Sequence, residues 1–138
     1  MSDHYATAQD AEDAFYDAFE EADLAKMMSV WADSGLICVF PMQDAITDRE
    51  TISQAWGALF GHEAKVEVEV HHLQWTELGD VALHLVTQVL VINGDKASSP
   101  PPVQTVNVYR NGDDGWRMLM HSAAPLAAPQ SAGPTLKM

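Results

Sequence analysis

The hydrophobic period of this chain changes at Ala64 from helical spacing to a two-residue alternation, and that switch constrains the fold more than any other feature. Ahead of it, Thr7 with Asp10 resembles a capping box, and Ala11, Ala14, Phe15, Ala18, Phe19 and Ala22 recur at helical spacing. Asp10, Glu12, Asp13, Asp17, Glu20 and Glu21 fill the remaining positions, a pattern that predicts a solvated acidic face. Asp23 is placed to cap a second, short helix with the stripe Leu24, Met27, Met28 and Trp31. Leu36 to Phe40 is a β-type run stopped by Pro41. Thr47 with Glu50 predicts the start of a third helix, whose stripe is Ile52, Ala55, Trp56, Leu59 and Phe60, and Gly61 ends it.

Beyond the switch, Val66, Val68 and Val70 alternate with Glu67, Glu69 and His71. Gly79-Asp80 marks a turn, Val81 to Ile92 a long apolar strand, and residues 93–102 a loop. Gln104 to Arg110 and Trp116 to Ala124 make a hairpin around the Asn, Gly and Asp residues of 111–115. After Pro125 the chain turns to Ala, Pro, Gln, Ser and Gly, so one domain is expected over 1–125 and a disordered tail over 126–138. Helices followed by antiparallel strands predict an α+β fold with the helices on one face of a curved sheet.

Twenty acidic residues against seven basic ones give a net charge of −13, which argues against partners that carry dense negative charge: no nucleic acid, no membrane surface. A single cysteine, Cys38, excludes an internal disulfide framework and a CxxC zinc site. No apolar run nears the roughly 18 residues of a membrane span. Met1 to His4 lack the basic, apolar start of a signal peptide, so a cytoplasmic location is expected.

Drawn without bulges, the hairpin about Gly79-Asp80 sets His72 opposite Thr87 and Val70 opposite Val89. The helix-covered face then carries Val66, Val68, Val70, His72, Gln74, Leu83, Leu85, Thr87, Val89, Thr105, Asn107, Tyr109, Trp116, Met118, Met120 and Ser122. The outer face carries Leu73, Trp75, His84, Val86, Gln88, Leu90, Val106, Val108, Leu119 and His121. So much apolar surface in the open predicts a homodimer through the outer sheet face.

Several segments also carry a family likeness: Glu21-Ala22-Asp23-Leu24, Val30-Trp31-Ala32-Asp33, Asn107-Val108-Tyr109-Arg110, Gly115-Trp116-Arg117-Met118 and His121-Ser122-Ala123-Ala124-Pro125. With the order of elements, they resemble the NTF2-like superfamily, and within it the small SnoaL-like domains, over residues 7 to 125. The resemblance implies a cystatin-like cone of three helices on a strongly curved antiparallel sheet, an apolar pocket at one end, and frequent dimerisation. Ketosteroid isomerases share this superfamily. Aligned on them, the tyrosine position falls on Phe15, the base on Val39 or Phe40, and the second aspartate on Asn107, so that reaction is not expected here.

The expected pocket is lined by Phe15, Phe19, Met27, Trp31, Trp56, Thr87, Met118, Met120 and Ser122, and its occupant is a small lipophilic molecule. The alternative is a cofactor-independent isomerase, dehydratase or cyclase with His72 as base and Asn107 or Tyr109 as donor. A protein-interaction adaptor is the third reading. His71 and His72 point to opposite faces of a strand and no compact ligand spacing exists, so neither a metal nor a cofactor is expected. His121 reads as an interface or half-buried structural histidine ahead of a catalytic one, with both left open, and Ser122 has no evident triad partners.

Overall fold

A computed structural model describes residues 5–61 and 64–126. Apart from Leu126, the expected tail lies outside the described residues. The elements run α1 (Ala8–Glu21), α2 (Leu24–Val30), β1 (Ile37–Val39), α3 (Arg49–Phe60), β2 (Val66–Leu78), β3 (Val81–Ile92), β4 (Val103–Gly112) and β5 (Gly115–Pro125). The strands form one unclosed sheet in the order β1-β5-β4-β3-β2, antiparallel except for the parallel β1–β5 pair. The three helices pack on its concave face, as the α+β reading requires.

Thr7 accepts from Asp10 N–H and Asp23 from Lys26 N–H, so both predicted caps form. The third helix is capped one residue later than expected, by Asp48, whose carboxylate takes both the N–H and the hydroxyl of Thr51. The end of α2 has an unusual arrangement. Arg49 donates to the carbonyls of Met28, Trp31 and Ala32, while Arg117 donates to that of Ser29. Two of only seven basic residues are thus spent on one helix terminus, where the dipole favours cations. Arg49→Met should keep the packing stem but lower unfolding free energy by about 2 kcal/mol, read from urea denaturation.

Two β-bulges set the sheet faces, and both lie where the sequence had suggested regular pairing. In β2 the register slips between His72 and Gln74, so His72 pairs with Val86 rather than Thr87, and Val70 with Gln88. A one-residue slip turns every side chain beyond it to the other face. His84, Val86, Gln88 and Leu90, expected outside, therefore face the helices, and Thr87 and Gln74 face away. In the last hairpin Tyr109 pairs with Met118 and Arg110 with Arg117. The register then slips at Leu119, so Asn107 pairs with His121. Met120 and Ser122 consequently lie on the outer face, while His121 and Ala123 are buried within.

Candidate functional site

The site grows from a residue assigned to the solvated acidic face. Glu12 sits midway along the first three turns of α1 and is only 1% exposed. Its Oε1 accepts from His72 Nε2 at 2.5 Å. Its Oε2 accepts from His84 Nδ1 at 2.9 Å, Tyr109 hydroxyl at 3.0 Å and Asn107 Nδ2 at 3.3 Å. Four donors from three strands thus converge on one buried carboxylate. Burial pushes its pKa up, but the hydrogen bonds and charge of His84 and then His72 outweigh that and leave it below the usual 4.5. Tyr109 is held protonated well above 10, by burial first and then by the Glu12 charge.

From Glu12 the network passes through Asn107. The same Nδ2 also donates to the Tyr16 hydroxyl at 2.9 Å, and Tyr16 donates onward to Gln88 Oε1 at 2.9 Å. With the amide nitrogen committed as donor, Asn107 Oδ1 can only accept, so His121 Nδ1 carries the proton of their 2.7 Å bond. His121 Nε2 is therefore left with a lone pair, and burial lowers the ring's pKa to about 3, so the imidazole is neutral near pH 7. Gln88, its Oε1 taken by Tyr16, has its NH₂ left to donate.

Gln88 and His121 both line a cleft of about 670 Å³ at the open end of the cone. Its walls are largely apolar, with Phe19, Phe40, Trp56, Leu59, Leu90 and Val103 around that polar pair. Trp56 is the hub of this end, with Phe15, Phe19, Phe40, Phe60 and His121 all within 6 Å between ring centroids. Its indole Nε1 is buried without a hydrogen-bond partner. A second cleft of about 250 Å³ lies by the β4–β5 hairpin, where Arg110 and Arg117 mix with Asp33, Asp113 and Asp114.

Of the residues expected to line a pocket, Phe19 and Trp56 line the larger cleft. Phe15, Met27 and Met118 are fully buried in the closed core, and Trp31 is 2% exposed beside the smaller cleft. Thr87, Met120 and Ser122 are on the outer face. The three residues expected to act together, His72, Asn107 and Tyr109, do converge, but on Glu12 rather than on the cleft. Glu12, Tyr16, His84 and Gln88 were missed, and His121 was placed on the wrong face. Glu12 carried one signal, since it lies four residues before Tyr16 and three before Phe15, next to the apolar stripe.

Helices held in the concavity of an unclosed antiparallel sheet, with an apolar cleft at the open end, define the NTF2-like, or cystatin-like, class of domain. The comparisons with known proteins agree and narrow it. The family model described as SnoaL-like domain matches residues 9–128, and this chain belongs to that family. Among solved structures, a candidate calcium/calmodulin-dependent protein kinase type II association domain from Thiobacillus denitrificans is 34% identical. It superposes with a TM-score of 0.83 over 91% of this chain and 99% of its own. A candidate dehydratase of the NTF2-like family from Streptomyces avermitilis is 26% identical, with a TM-score of 0.75 over 86% of this chain and 92% of that one. A cystatin-like domain of unknown function from Nostoc punctiforme, at 14% identity and TM-score 0.71 over 86% and 74%, shares the fold alone. No curated protein matches the chain.

Proposed function

We propose that this domain binds one small, mostly apolar molecule in the cleft between α1, α3 and the ends of β3–β5. One observation carries the reading: the apolar cleft has one buried polar pair, Gln88 and His121, with Gln43 exposed at its edge, and the network behind the pair fixes what each member offers. Gln88 offers a donor and His121 Nε2 an acceptor. The ligand class that satisfies both is an uncharged group with adjacent acceptor and donor, such as a protonated carboxylic acid, an amide or an enol, on an apolar body. A carboxylate fits poorly, because the His121 ring is neutral and the chain's charge is −13.

Binding is favoured over acid–base catalysis by the same geometry. A base held to a pKa of about 3 has little driving force to take a proton from carbon near neutral pH. The catalytic reading keeps one support, the likeness to the candidate dehydratase, and within it His121 replaces His72 as the group nearest the ligand. The adaptor reading predicts a filled cone, and a cleft of about 670 Å³ weighs against it.

Titration with the neutral dye Nile red tests the binding reading. One saturable site per chain is expected, and Ala55→Trp, which puts an indole into the cleft from α3, should raise its Kd at least tenfold. Undiminished binding in that variant would contradict the assignment.

Self-association belongs to this proposal as well. The outer face carries Leu83 opposite Val108 and Leu85 opposite Val106, with Met120 beside Val108. These half-buried side chains form one apolar surface, although not the one the unbulged register had suggested. Light scattering should give twice the chain mass, and Leu85→Glu should give the monomer, since a dimer would bury its charge unpaired.

A further inference from the structure

We infer that Glu12, His72 and His84 form a binding site for a divalent transition-metal ion of the zinc class, separate from the apolar cleft. One ligand atom from each residue lies within 4.8 Å of the others, and no other such group of three occurs among the described residues. Two of the separations are already short, 2.5 Å from His72 Nε2 to Glu12 and 2.9 Å from His84 Nδ1 to Glu12. Around a tetrahedral zinc with bonds of about 2.0–2.1 Å, ligand atoms stand roughly 3.3–3.5 Å apart, so the donors need open by only about an ångström.

The groups around the triad suit an ion. Tyr109 and Asn107 donate to the same carboxylate and fix its orientation, the role that outer hydrogen bonds play at metal centres. His84 is wholly buried, stacks on Trp75 at 3.9 Å between centroids, and has no partner for its Nε2. Ligation through His84 Nδ1 would take the place of its bond to Glu12 Oε2. His72 is about one-third exposed, which provides entry and leaves a coordination position for water.

Charge supplies the second argument. Glu12 is a buried anion, and no Lys or Arg among its hydrogen-bond partners neutralises it. An incoming ion would take the place of the short His72–Glu12 hydrogen bond. Two imidazoles and one carboxylate select zinc, cobalt or nickel over calcium or magnesium, which require more oxygen ligands.

The full chain, freed of any histidine tag and stripped with a chelator, is titrated with Zn²⁺ by calorimetry and with Co²⁺ by visible absorption. One ion per chain is expected, with cobalt bands of a nitrogen–oxygen site lacking thiolate. His72→Gln, at a partly exposed position, should weaken binding at least tenfold, with circular dichroism reporting that the fold is retained. His71→Gln, on the exposed neighbouring histidine, should leave it unchanged. No binding below about 100 μM, or equal loss in both variants, would overturn the site and leave Glu12 and His72 as a hydrogen-bonded pair.

Discussion

Glu12→Ala is expected to lower the free energy of unfolding by about 4 kcal/mol or more, a large share of the roughly 5–15 kcal/mol that an ordinary domain has. The cost comes from the donors left behind rather than from the methylenes removed. His84, Asn107 and Tyr109 are fully buried, and each loses its acceptor on Glu12 at once. An unsatisfied buried donor costs about 1–3 kcal/mol, and neighbours in one network do not relax independently. Glu12→Gln keeps the shape but turns an NH₂ either toward His72 or toward the three donors on the other oxygen, so part of the loss should remain. Urea denaturation followed by circular dichroism measures both. A loss under about 1 kcal/mol for Glu12→Ala would mean that the carboxylate is solvated, as the acidic run around it suggests.

Glu12 also shows where sequence reasoning stops. Helix existence, the Thr7 and Asp23 caps, the Gly79-Asp80 turn and the α+β order were all legible, because each depends on local spacing or on backbone chemistry. The inner set Asn107, Tyr109, Trp116 and Met118 was legible too, since Tyr109, Trp116 and Met118 lie on the turn side of the bulge at Leu119 and Asn107 lies on the opposite strand, β4, which keeps its alternation. Residues past each bulge were not. An extra residue at Leu73 or Leu119 leaves no mark on an apolar alternation, yet it turns Thr87, Met120 and Ser122 outward and His84, Gln88 and His121 inward. The polar centre was hidden for a further reason. A carboxylate among five other acids on one helix reads as solvent-facing until its partners are known. Those partners are 60 to 97 residues away in sequence.

The second large effect is loss of stability in acid. Burial holds the His121 pKa near 3, against 6.5 for an unperturbed histidine. Between those values the unfolded chain takes up a proton that the native state refuses. The contribution is therefore intact above pH 6.5 and declines as pH falls, by about 3 kcal/mol at pH 4. Glu12 acts in the same direction. Its carboxyl lies below 4.5 in the native state, so its stabilisation is present above that value and is lost as pH falls through the native pKa. Relief of the −13 charge works the other way on the native state, but it is nearly common to wild type and His121→Gln. The difference between their unfolding free energies, measured from pH 7 to 4, should therefore shrink by about 3 kcal/mol. A constant difference would place the His121 ring in contact with solvent.

The central claim is that a network anchored on Glu12 presents a neutral His121, with Nε2 unprotonated, to an apolar cleft. Long-range ¹H–¹⁵N correlation on ¹⁵N-histidine-labelled protein tests it most directly, with His121→Gln assigning the ring. At pH 7 the His121 ring should appear as the Nδ1–H tautomer, with Nε2 at the shift of an unprotonated nitrogen that moves when a cleft ligand is added. An Nε2–H tautomer, or an imidazolium at pH 7, would contradict the account.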